Sequence, residues 1–259
     1  MPTALVTGPT VGIGNAFADA LARRGYDLVL VARDEERLKS VAADLTERYR
    51  VAVEVLPADL ADRAQLTAVE ERLRSPGEGQ AHVDLLVNNA GFTLKENIVD
   101  SSSDDEERLL EVLVVAVMRL AKAALPGMIR RRAGGIINVS SVAGYAPYGT
   151  YGAAKIWVTT FTEGLSFDLE GTGVRAIAVC PGYVHTEFHQ RAGVKVVAPE
   201  FMWIPVETVV NEALASLFRG TGSPVVIPSP QYKVLMAAAK LAPRNLVLKI
   251  ARGQREKRA

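Results

Sequence analysis

The chain is 259 residues long, 49% hydrophobic, and carries a net charge of +1. That is enough for a large core in one α/β domain, and the near-neutral balance gives no reason to expect a nucleic-acid partner. The single cysteine, Cys180, excludes an intrachain disulfide framework and reads as a core thiol in a reducing, cytoplasmic setting. No signal peptide is expected, because strand-like Ala4–Thr7 begins almost at once, and no apolar run of about 18 residues suggests a spanning helix.

Thr3–Thr7 predicts a short apolar strand. Gly8, Gly12 and Gly14 follow it in GxxxGxG spacing, and a helix pattern through Phe17 and Leu21 ends at Gly25. Strand, glycine turn and helix N-terminus together are what a phosphate site needs: close backbone approach, amide donors and a positive dipole end. An ordinary turn is the competing reading of the glycines alone. Asp27–Ala32 is a second strand, apolar enough to be buried on both faces. A carboxylate at this strand end would bind a ribose 2′-hydroxyl, but Ala32 stands there with Arg33 beside it. A guanidinium suits a 2′-phosphate, so the prediction is NADP(H) over NAD(H), the alternative being a solvated arginine ahead of a helix opening at Asp34. Val51–Leu56 is the third strand. Asp59 after it can accept from an adenine amino group or cap the helix starting near Asp62. Arg74–Ala81 reads as a loop rather than a linker. Val83–Val87, the fourth strand, runs into Asn88-Asn89-Ala90-Gly91, where asparagines can bridge strand ends and small residues let a nucleotide approach.

Ser101–Asp105 is a strong helix start, with N-cap candidates and acidic charge in the first turn. The helix expected from Glu106 to Arg132 is apolar on most sides, which suggests a helix–helix subunit interface, with Pro126 as a kink point. In Gly134–Lys155, a buried strand (Ile136, Ile137, Val139) delivers Ser140 and Ser141, and a helix begins near Thr150. Tyr151 and Lys155 lie one turn apart on one face of it. A phenol titrates near pH 10, and a neighbouring ammonium is expected to lower that value and make Tyr151 a usable acid or base. That helix is expected to run to Gly171, before strand Val174–Cys180 and the loop Pro181–Thr186, where ligands of open α/β sheets sit. Glu187–Pro205, with Phe188, Phe201, Met202 and Trp203, reads as a flap over a hydrophobic substrate, a packed surface loop being the alternative. Val206–Phe218 is a helix and Val225–Ile227 the last strand. From Lys233 to Arg258 eight basic residues face the single acid Glu256. This basic, amphipathic C-terminal extension (231–259), divided at Pro243, reads as a membrane-surface or partner-binding element, or as a helix packing on a neighbouring subunit.

The alternation of strands and helices is that of a doubly wound sheet. TGPTVGIG at 7–14, NNAG at 88–91, SS at 140–141, YGAAK at 151–155 and PGYVHT at 181–186 also come in a set order. Over about residues 3–190 the chain thereby resembles the short-chain dehydrogenase/reductase family. The resemblance implies a single-domain α/β Rossmann fold, with a mostly parallel seven-stranded sheet and helices on both faces. It implies an NADP(H)-dependent oxidoreductase interconverting a ketone or aldehyde and an alcohol, and the apolar flap suggests a hydrophobic, lipid-like substrate. Ser141, Tyr151 and Lys155 would be catalytic: Tyr151 giving the proton, Lys155 binding the nicotinamide ribose and depressing the phenol's pKa. Cofactor contacts would come from Thr7, Gly8, Gly12, Ile13, Gly14, Arg33, Asp59, Leu60, Asn88, Ala90, Gly91, Tyr151, Lys155, Pro181, Gly182, Val184 and Thr186, with no metal. A homodimer or homotetramer through the long helix and the Tyr151 helix is implied as well. Two departures stand out. The family serine usually lies about thirteen residues before the tyrosine, whereas Ser141 lies ten before Tyr151. The family's relay asparagine in the long helix is replaced by Leu113, which motivates a second reading as a catalytically impaired NADP(H)-binding or assembly protein.

Overall fold

Short runs of β-branched and aliphatic residues, bounded by glycine turns, form strands covered on both faces, and these organise the chain. The structure is a computed structural model that describes residues 1–188, 193, 198–241 and 245. Strands β1 (Thr3–Thr7), β2 (Asp27–Ala32), β3 (Val53–Pro57), β4 (Val83–Asn88), β5 (Gly134–Val139) and β6 (Val174–Val179) alternate with helices. Between them run α1 (Gly12–Ala22), α2 (Glu35–Tyr49), α3 (Arg63–Arg74), α4 (Ser103–Leu110), α5 (Ala116–Arg131) and α6 (Gly149–Asp168). A two-stranded ribbon, β7 (Tyr183–Val184) with β8 (Trp203–Ile204), precedes α7 (Val206–Arg219), β9 (Val225–Val226) and α8 (Pro230–Leu241). The main sheet has the order β3-β2-β1-β4-β5-β6-β9 and every pairing in it is parallel. This is the doubly wound Rossmann arrangement, as one domain, with the strand order reversing beside β1.

Helix starts follow the chemistry of their caps. Asp34, Asp62 and Ser102 each accept a backbone N–H from the first turn of α2, α3 and α4. The last strand is shorter than expected, because only Val225 and Val226 reach β6. One core lies under α1, α2 and α7, built on Phe17, Leu21, Leu28 and Leu214. The other lies under α3, α5 and α6, built on Leu66, Leu86, Leu120 and Ile136.

The continuous helix Ser103–Arg131 is long and apolar enough to cross a membrane, contrary to the expectation from composition, but 56% of its most apolar window is buried inside the protein. It packs on α3, α6, β4 and β5, which accounts for most of its apolar surface. It contains a π-helical turn, Glu111–Val115, where each bond spans one residue more than in an α-helix. Between α3 and α5, the buried carboxylate of Glu70 is paired with Arg119 and with Arg74. Arg119→Ala would leave that carboxylate with only the half-exposed Arg74. We expect a loss of about 3 kcal/mol, read as a lower urea midpoint at unchanged m-value.

Candidate active site

The carboxyl ends of β1, β2, β4, β5 and β6 surround a cleft of about 1740 Å³. A buried threonine clasps its floor. Thr7 Oγ1 accepts the backbone N–H groups of Asn89 and Ala90, both at 2.9 Å, and Asn89 Nδ2 donates to the Thr7 and Gly8 carbonyls at 3.0 and 3.1 Å. The glycine turn is thereby bound to the loop after β4. Gly8 and Gly12 have φ of 67° and 60°, a region that glycine enters without strain. At Gly14 a side chain would collide with the Gly8 carbonyl, so this glycine serves helix–turn packing.

The predicted residues divide into two groups. Gly8, Gly12, Ile13, Arg33, Asp59, Leu60, Ala90, Gly91, Ser141, Tyr151, Lys155, Pro181, Gly182, Val184 and Thr186 line the cleft. Thr7, Gly14 and Asn88 do not, and stand behind its wall. Asn88 is turned into the sheet, where Nδ2 donates to Asn138 Oδ1 at 2.9 Å, and Asn138 in turn donates to Thr162 on α6. Its neighbour Asn89 takes the place at the cleft that the NNAG reading gave to Asn88. Asp59 accepts the Ala61 amide at 3.0 Å and is paired with Arg108 of α4, which hold its carboxyl below the usual range against the opposing effect of burial. The helix cap that Asp59 could have supplied is made by Asp62.

The serine, tyrosine and lysine converge. Ser141 begins a short 3₁₀ turn, Val142–Tyr145, its hydroxyl accepting the Ala143 amide at 3.1 Å. The tight turn absorbs the shortened spacing, and Ser141 still lines the cleft with Tyr151, its hydroxyl favouring the ionised phenol. Ser140 is buried instead, donating to the Lys155 carbonyl at 2.6 Å and paired with Thr159 at 2.7 Å. Lys155 Nζ donates to the Val139 carbonyl at 2.8 Å and lies 5.7 Å from the centre of the Tyr151 ring.

Burial pushes the Tyr151 phenol up to about 12, with Ser141 pulling the other way, rather than the ammonium bringing it down. Burial likewise lowers Lys155 to about 8. Low-polarity surroundings disfavour both charged forms, so the phenol keeps its proton and the amine sheds its own more easily.

Leu113, in the π turn, is fully buried with Leu109 and Ala154, and Phe92 and Tyr151 pack against them. A Cβ placed on Gly91 would be 2.7 Å from Leu113 Cδ2 and 3.8 Å from Lys155 Nζ, so the leucine crowds the lysine's side of the site. The flap region also contributes: Phe188 and Met202 line the cleft, and the Phe188 ring lies 6.1 Å from that of Tyr151. Residues 189–192 and 194–197 of that region, and most of the basic extension beyond Leu241, lie outside the described residues. Sequence reading missed Arg108, Tyr145, Tyr148 and the apolar Leu94, Ile98 and Val99, all of which line the cleft. Their only signal was position, near a motif but not in it.

The cleft fits a dinucleotide. Helix α1 points its N-terminus at it with no side-chain cap and no acid in the first turn, leaving the amides for an anion. Glycines, a guanidinium at the β2 end and a tyrosine–lysine pair at the β5–α6 end complete a nucleotide-dependent oxidoreductase site. Residues 2–195 match the family model described as short chain dehydrogenase, and the chain belongs to that family. It is 34% identical over 221 residues to a very-long-chain 3-oxoacyl-CoA reductase from Anas platyrhynchos, covering 83% of this chain and 68% of that protein. It is 39% identical over 189 residues to sulfoacetaldehyde reductase 2 from Chromohalobacter salexigens, covering 71% and 73%. Among solved structures, a short-chain dehydrogenase from Sphingobium yanoikuyae in complex with NADPH is 38% identical, with a TM-score of 0.81 over 93% of this chain and 94% of that one.

The pKa of Lys155 has a consequence for stability. Between pH 8 and 10.5 the unfolded chain holds this proton and the folded one has released it, so wild-type stability rises with pH across that window. Lys155→Met removes the effect. Urea unfolding without nucleotide should find the variant's advantage over wild type greatest at pH 8 and below, shrinking toward pH 10.5 by on the order of 3 kcal/mol.

Proposed function

We propose that the protein is an NADP(H)-dependent carbonyl reductase or alcohol dehydrogenase for hydrophobic substrates. The observation that carries this reading is the convergence of Ser141, Tyr151 and Lys155 on a cleft whose nucleotide end carries Arg33. Arg33 has no ion pair among the described residues, whereas the neighbouring Asp34 is engaged by the Arg37 amide at 3.0 Å and its guanidinium at 3.3 Å. With Ala32 in place of a carboxylate at the strand end, and Asp34 held by Arg37, the Arg33 guanidinium is the group there that suits a 2′-phosphate. The NADPH complex of the Sphingobium relative supports the same choice.

When bound, the nicotinamide cofactor supplies or takes the hydride. The protein holds the substrate oxygen and moves the proton. Ser141 hydrogen-bonds that oxygen, and Tyr151, kept protonated by its surroundings, gives its proton as negative charge develops there. Lys155 would hold the ribose next to the phenol. Relatives that act on so different a pair as a very-long-chain thioester and sulfoacetaldehyde leave substrate class to the lining. Here that lining includes Phe92, Leu94, Phe188 and Met202. We place the protein in the cytoplasm as a homodimer or homotetramer, with Leu110, Met118 and Ile129 exposed on the long helix and Phe167 on α6 for contact between copies. The basic extension is proposed to touch anionic membrane surfaces.

A second reading, an impaired NADP(H)-binding or assembly protein, is favoured by Leu113 alone, since a leucine cannot hold a relay water. A panel of ketones, aldehydes and secondary alcohols with both cofactors separates the two. On the first reading Tyr151→Phe lowers kcat by about 10²–10⁴-fold while NADPH still binds. NADPH binding with no turnover on any substrate, together with turnover gained in Leu113→Asn, would establish the second. Arg33→Ala should weaken NADPH at least tenfold more than NADH in fluorescence titration, and equal losses would refute the 2′-phosphate role.

A further inference from the structure

Helix α8 enters the cleft, although no motif points to it. Helix α8 is fastened at its first turn. Glu212 of α7 accepts the Ser229 amide at 3.0 Å and the Lys233 ammonium at 2.8 Å. On the other face Tyr232, 1% exposed, lays its ring where a side chain at Gly182 would overlap it. Its hydroxyl accepts the Tyr183 amide at 3.0 Å and donates to the Met202 carbonyl at 2.8 Å. Tyr183 belongs to β7 and Met202 directly precedes β8, so one phenol adds a rung to the β7–β8 ribbon. That rung joins three segments: the loop after β6, the anchor of the flap region, and α8.

Leu235 and Met236 follow Tyr232 at i+3 and i+4, on the same helix face, and both line the cleft. Leu94, Ile98 and Val99 line the same cleft, the last two 63% and 86% exposed. Lys233 is turned away to Glu212, so the wall that α8 gives the cleft is apolar.

We propose that Leu235 and Met236 are specificity-determining residues that pack on an extended apolar substituent of the carbonyl substrate, and that Tyr232 is the positioning residue that sets their distance from Tyr151. This rests on the carbonyl-reductase reading above. Tyr232 acts through the backbone of the Tyr183 loop and through α8, and a glycine at 182 is required for its seat.

The test compares kcat/KM for 2-decanone and 2-butanone, NADPH oxidation being the readout. A ratio is used because general damage to the fold lowers both values together. Leu235→Trp should cut the ratio about tenfold, the size of effect that a pocket contact of one or two methylenes gives, and Met236→Ala should shift the optimum toward longer chains. Tyr232→Phe should lower the ratio chiefly through KM for 2-decanone. Should Tyr232→Phe fail to fold, Leu235→Trp decides. A wild-type protein that turns over ketones, with the ratio unchanged in Leu235→Trp and Tyr232→Phe, overturns the inference alone. A wild-type protein that binds NADPH but reduces no ketone or aldehyde overturns the carbonyl-reductase reading and this inference with it.

Discussion

The site depends on one clasp at the carboxyl edge of the sheet. Thr7 Oγ1 takes two amides from the loop after β4, and Asn89 returns its side-chain N–H to the carbonyls of Thr7 and Gly8. These groups are largely out of water, where an unmade hydrogen bond is costly, so the two loops are held at one height. The glycine turn can then face the cleft with its amides, and Gly91 can bring the chain against Leu113 and Lys155. On the far side Asn88, Asn138 and Thr162 do the same for β4, β5 and α6. Two small polar chains thus set the spacing between the nucleotide end and the proton-transfer end.

Within that frame, burial outweighs charge at the chemistry. An ammonium beside a phenol suggests a phenolate, yet the lysine's own hydrogen bond goes to the Val139 carbonyl, the lysine is buried, and the phenol packs against the Leu109–Leu113 cluster. The tyrosine is therefore held as an acid rather than as a base. That suits reduction, in which the substrate oxygen gains a proton. Negative charge developing on the substrate oxygen is what draws the proton off, and this ties proton release to the progress of the reaction.

What could be read in the sequence was local. The β1–α1 turn, the Tyr151–Lys155 face and the Asp34 helix start depend on neighbours within about a turn of chain, and periodicity and capping rules reach that far. The doubly wound fold was legible for the same reason, since each βαβ unit announces itself separately. Thr7 with Asn89, Asp59 with Arg108 and Tyr183 with Tyr232 join positions 82, 49 and 49 residues apart. No pattern along the chain encodes such partners. The motif NNAG named the right loop but not which asparagine faces the cleft, because strand β4 runs one residue further than its apolar stretch and turns Asn88 inward. The membrane-length helix is a further case: the sequence showed a helix apolar on most sides but no run long enough to span, and only the packing of α3 and α6 against it explains where the apolar surface goes.

The π-helical turn at Glu111–Val115 holds one more residue than an α-helical turn would. A helix advances about 100° per residue, so that surplus residue fixes the phase between α4 and α5. With it, Leu109 faces the substrate side while Leu120 and Ala124 face the sheet. The turn works as a phase shifter in one continuous rod, allowing its two halves to serve different cores. A chain shortened by one residue there would keep its composition and its helicity, yet present the wrong side of one half to whatever lies beneath it.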